Sequence, residues 1–196
     1  MVLRAGPLPA AALALLAGCA SSPSPAEGDA LELVRAYEES ANRGAAGEAA
    51  GHFSEDAVWT IDGQTVCTNR AEVRELLAYQ VAIETRRELT ALERTRAGVR
   101  ARLTGTNAFH AALGFDAMSQ EVRFVLRDGR IRALSATSDP ADRERLAGLL
   151  LPFLEWLGAA HPEEARVLMA ADRLEDGTAR GRRLLELVAE WRAEKK

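Results

Sequence analysis

The stretch Met118–Ala136, MSQEVRFVLRDGRIRALSA, decides how the rest of the chain is read. Met118, Gln120, Val122, Phe124 and Leu126 share one face of an extended chain, and Ser119, Glu121, Arg123, Val125 and Arg127 share the other. That alternation predicts a half-buried strand. Asp128-Gly129 suits the positive φ values of a two-residue hairpin turn, which sets Arg127 opposite Arg130 and starts the return strand at Ile131. An isolated hairpin is marginal in water, so its apolar face needs a cover, and the flanking helical segments are the obvious one.

Outward from the hairpin, the order of elements is legible. A helix capped by Asp29 runs to about Asn42, with Ala30, Leu33, Val34, Tyr37 and Ala41 inward. A short helix over 45–53 follows, then a strand over 57–61, the turn Asp62-Gly63 and a strand over 64–67. Asn69 with Glu72 three residues on predicts a capped helix to about Glu84, burying Val73, Leu76, Leu77, Gln80 and Val81. Strands are predicted over 87–95, with a bulge near Ala91-Leu92, and over 99–106. Residues 107–114 read as part strand and part loop.

This order resembles the nuclear transport factor 2-like superfamily, and within it the SnoaL-like group. The match is carried by the helix end Tyr37–Gly44, by Phe53–Val58, by the Ile61-Asp62-Gly63 turn, by Ala71–Val73, and by Val122-Arg123-Phe124 through Ile131. The resemblance covers 29–138. It implies an α+β fold, a cone-shaped curved antiparallel sheet wrapped around N-terminal helices, with a mostly apolar pocket at the mouth of the cone.

Residues 139–196 extend beyond that domain as a C-terminal helical extension. Asp139-Pro140 opens a helix whose apolar stripe runs from Leu146 to Leu157, and Pro152 is expected to kink or split it. Further helices are predicted from His161-Pro162 and over 179–193. The stripe is expected to fold against the sheet or the pocket mouth, with a homodimer or a membrane surface as the lesser option.

The start of the chain reads as an address. Arg4 precedes a short apolar run, Leu8–Ala17, and Leu16-Ala17-Gly18-Cys19 resembles the bacterial lipobox. The resemblance implies a signal peptide over 1–18, acylation of Cys19 and a Pro- and Ser-rich lipidated linker over 19–28. The expected location is the bacterial cell envelope, outside the cytoplasm, with the membrane as a partner through Cys19. Cys67 then lacks an intrachain partner and is expected as a buried, inert thiol.

Composition narrows the function. The net charge is -4, and every basic residue except the terminal Lys195 and Lys196 is Arg, without a basic cluster. Nucleic acid is therefore not expected as a partner. His52, His110 and His161 have no paired metal spacing, no Gly-x-Ser-x-Gly elbow appears, and no Gly-rich phosphate loop does, so neither metal nor cofactor is expected.

Four residues are candidates for lining a pocket: Tyr37, Trp59, Asn107 and His110. Tyr37 resembles in position the tyrosine that helps bind the enolate oxygen in ketosteroid isomerases of the superfamily. Glu121 matches the protonated acid of those enzymes, but alternation turns it away from Val122 and Phe124. The general base falls near Ile61, which cannot take a proton, or Asp62, which sits in a turn. No catalytic residue is assigned on these grounds. The first expectation is a pocket for a small apolar or amphiphilic molecule. An acid-base isomerase, dehydratase or hydrolase is the alternative, and a protein-interaction module at the envelope is the third.

Overall fold

The computed structural model describes residues 25–169 and 176–195. The expected signal segment, Cys19 and most of the linker lie outside the described residues. Three helices come first: α1 (Pro25–Asn42), α2 (Ala46–Gly51) and, after the strands β1 (Phe53–Ile61) and β2 (Gln64–Cys67), α3 (Arg70–Ala82). The strands β3 (Arg86–Thr95) and β4 (Gly98–Thr106), the helix α4 (Ala108–Leu113), and the strands β5 (Met118–Arg127) and β6 (Arg130–Ser138) follow. The extension is α5 (Pro140–Ala160), α6 (Pro162–Met169) and α7 (Gly177–Glu194).

The six strands form one sheet in the order β2-β1-β6-β5-β4-β3. All neighbours are antiparallel except β1 and β6, which run parallel. The hairpin has its expected register, Arg127 opposite Arg130, with Asp128 at φ 51° and Gly129 at φ 69°. The slip expected in β3 falls between Leu89 and Ala91. At the head of α3, Asn69 Oδ1 accepts from the Glu72 N–H at 2.9 Å, while the Glu72 carboxylate reaches back to the Thr68 N–H at 2.7 Å.

Several local expectations are corrected. α1 begins upstream of Asp29, which therefore does not cap it. Phe53 opens β1 instead of closing α2. α3 ends at Ala82, and Val81 is 39% exposed, beside Gly44 and not in the core. Residues 108–113 are helical, held by the Asn107 cap and by Gly114 at φ 83°. α5 is not split at Pro152. Pro152 lies on its exposed face.

Two apolar cores result. The first lies between the inward sheet face and α1–α3, and its centre is aromatic: Tyr37 meets Phe53 edge-on at 5.2 Å and Phe124 at 6.0 Å, and Phe53 stacks on Trp59 at 5.9 Å. Each such ring, fully buried, contributes roughly 1.5–3 kcal/mol. The second core joins α4, α5 and α7 to Ile83, through Phe109, Phe153, Leu157, Leu187 and Trp191. α7 reaches this position by lying on α3, where Gly177 and Gly181 meet the α3 backbone with no room for a side chain. The extension thus packs on helices more than on the sheet.

Cys67 is fully buried, and burial, with a smaller contribution from Glu72, pushes its thiol up to about 12. The thiolate is the reactive form. Native protein is therefore expected to resist a maleimide at pH 8 for hours and to label at Cys67 within minutes in 6 M guanidinium. Rapid labelling of the native Cys19→Ser chain would contradict the buried placement.

Candidate functional site

Tyr37 sits in the C-terminal half of α1 on its inward face, and its hydroxyl accepts from Arg87 Nη1 at 3.2 Å. Burial raises the phenol well above its ordinary value, so it stays neutral. Arg87 faces inward from β3, two residues before Leu89, and its Nε lies 3.0 Å from the Glu38 carboxylate. Both side chains of that pair are nearly inaccessible, at 10% and 4% exposure. Burial pushes the Glu38 carboxyl up and Arg87 pulls it back. Asn42 fixes the strand end by accepting from the Arg87 N–H at 2.9 Å and donating to its carbonyl at 2.8 Å. Beside the guanidinium, Gln80, Thr85 and Leu77 line a space of about 10 Å³, which is room for one water.

Trp59 joins this region through Phe53, with its indole N–H unpartnered among the described residues. Asn107 and His110 lie elsewhere, at α4. The Asn107 side chain is used to cap that helix, accepting from the His110 N–H at 2.7 Å. His110 packs edge-on against Phe115 at 5.4 Å, and burial lowers its pKa. The four residues expected around one pocket therefore do not share one: Tyr37 and Trp59 are buried in the first core, and Asn107 and His110 belong to α4. Glu121 does point outward, paired with Arg123 at 2.9 Å. Asp62 is structural: its carboxylate accepts from the Ser138 N–H at 2.8 Å, tying the β1–β2 turn to β6.

Glu38 and Arg87 are missing from the sequence-derived set, although a signal for each exists. Glu38 is four residues from Val34 and three from Ala41, so helical spacing sets a charge on the apolar stripe of α1. Arg87 shares the alternation of Leu89.

An apolar-walled space lies between α3 and the extension. It has a volume of about 290 Å³. α5 supplies Leu150, Phe153, Leu154 and Leu157; α3 supplies Leu76 and Tyr79; Phe109, Leu168 and Leu184 close it. The polar groups are the Tyr79 phenol, raised by burial with Arg180 opposing, and Arg180 itself, which donates to the Leu168 carbonyl. An apolar chamber with few placed polar groups is the usual form of a small-molecule site.

A second, open basin of about 570 Å³ lies at the other end of α3 and is polar. Ser54, Glu55 and Asp56 of β1 face Arg70, Arg127, Asp128, Arg130 and Arg132 across it. Arg70 pairs with Glu55, and Arg132 with Asp56.

Together, the curved six-stranded sheet and the helices it wraps define the nuclear transport factor 2-like fold. Among solved structures, an LEH-like epoxide hydrolase from M. tuberculosis matches with a TM-score of 0.54 and 16% identity, covering 66% of this chain and 95% of that one. The epoxide hydrolase/cyclase-like enzyme SalBIII, of pyran ring formation in salinomycin, matches at 0.51 and 23%, covering 59% and 95%. A candidate ketosteroid isomerase from Kribbella flavida DSM 17836 matches at 0.50 and 16%, covering 58% and 79%. No protein-family model and no curated protein sequence matches the chain.

Proposed function

We propose that the chain is an envelope lipoprotein, anchored through Cys19, whose helical chamber takes up a small apolar or amphiphilic molecule. The chamber carries this reading, because leucine and phenylalanine side chains from five helices line it and, among the described residues, Tyr79 and Arg180 are its polar groups. Inside the cone the rings of Tyr37, Phe53, Trp59 and Phe124 pack against one another, so the helical chamber is the site proposed. The Leu16–Cys19 motif supports the anchor.

The acid-base reading has one observation in its favour, since Tyr37 and Glu38 converge on Arg87. The adjoining space takes a water and no organic substrate, so this reading stands second.

The chamber comes with a built-in reporter. Phe153 lines it and touches the Trp191 ring at 5.7 Å. Medium-chain alcohols and fatty acids are expected to change the tryptophan emission saturably. Leu154→Arg, at a half-buried wall position, is expected to weaken that binding at least tenfold while circular dichroism stays the same. Absence of any ligand by native mass spectrometry, together with no response across the panel, would remove the chamber reading. For the anchor, labelled palmitate should enter the wild-type chain in a bacterial host and not the Cys19→Ser chain. An unlabelled wild type would remove it.

A further inference from the structure

We propose that the arginine-lined basin is the face by which the domain rests on anionic lipid headgroups. The inference rests on the anchor proposed at Cys19. Cys19 and Pro25, the first residue of α1, are six residues apart, and a fully extended chain covers at most about 3.6 Å per residue. The start of α1 is thereby held within roughly 20 Å of the bilayer surface.

The fold fixes which face that brings near. Asn42, the last residue of α1, clasps the Arg87 backbone at the first turn of β3, and α1 packs on β3 and β4. Running back at about 1.5 Å per residue carries the start of α1 toward the far end of β3, where Thr95 pairs with Gly98. There Val99 is opposite Phe124, three residues before Arg127. The β3–β4 turn, the β5–β6 turn and the start of α3 at Arg70 thus share the end from which the tether leaves.

That end is locally basic in an acidic chain. Arg70, Arg127, Arg130 and Arg132 line the basin against Glu55, Asp56 and Asp128. The exposed Arg94 near the end of β3 and Arg96 in the β3–β4 turn add to them, against Glu93. Arg127 has 73% of its side chain exposed. Arginines near a bilayer are drawn to its negative surface within about a Debye length, and the short tether lets this end of the domain approach to that range.

The test uses the full chain carrying Cys19→Ser, so that no acyl group contributes. Its sedimentation is measured with vesicles of phosphatidylcholine alone and with 30% phosphatidylglycerol. Binding is expected only with phosphatidylglycerol and is expected to weaken from 50 to 300 mM salt. Arg96→Gln with Arg127→Gln, both at exposed positions in or beside a turn, is expected to lower the affinity roughly 25-fold, at about fivefold per arginine. Asp128→Asn, which suits the positive φ there, is expected to raise it several-fold. Equal binding to both vesicles, or no response to either variant, would overturn the proposal. Competition by millimolar glycerol phosphate would also overturn it, in favour of a site for a soluble anion. The palmitate label is read separately: its absence with vesicle binding intact removes the anchor and leaves the basin's lipid preference standing.

Discussion

Replacing Arg87 with Ala is expected to cost about 3–5 kcal/mol of unfolding free energy, because it leaves the Glu38 carboxylate buried and unpaired. The pair is 3.0 Å apart, and neither Glu38 oxygen has another hydrogen-bond partner among the described residues. The same change takes the only described donor from the buried Tyr37 hydroxyl. A domain of this size has about 5–15 kcal/mol in total, so the loss should appear as a large fall in the urea midpoint. Replacing both members, Glu38→Met with Arg87→Met, removes the stranded charge and is expected to restore most of the stability. A single-variant cost below 1 kcal/mol would show that water reaches Glu38.

The second large effect is expected at Gly177. A Cβ there would lie 1.9 Å from the Glu75 carbonyl oxygen, a backbone atom that cannot swing aside. Gly177→Ala is therefore expected to cost about 3 kcal/mol, the upper end for overpacking, by lifting α7 from α3. Arg180 and Leu184 would leave the chamber wall with it, so the tryptophan response to ligand should vanish. Gly148→Ala is the control. It is also within a helix, but nothing lies near its added methyl, and it is expected to stabilise by about 0.5–1 kcal/mol. If the two variants behave alike in urea and in ligand titration, the close seat of α7 is wrong.

The parts of the fold that were readable in the sequence are those set by local chemistry. Asp128-Gly129 dictates a turn, and alternation on either side dictates the register. Asn69 and Glu72 mark a helix start whatever follows. The helix at Ala108 was missed because six residues are too few to show a period, and its cap looked like loop. The location of the chamber was missed for a different reason. It is a sum over side chains from five helices, and no segment of sequence carries it. The Glu38–Arg87 pair lies between these cases, since each residue breaks an apolar pattern but only the fold shows that they meet.

The parallel contact of β1 with β6 has a consequence for how the chain matures. Trp59 must find Leu134, and Ile61 must find Ala136, across some 75 residues. β1 is made early and its sheet neighbour β6 late, so the seam between them closes only when almost the whole domain is available. Closing contacts so distant along the chain is slow and leaves strand edges open meanwhile. A chain that emerges from a narrow conduit in an extended state would assemble this sheet only after its final strand has cleared the exit.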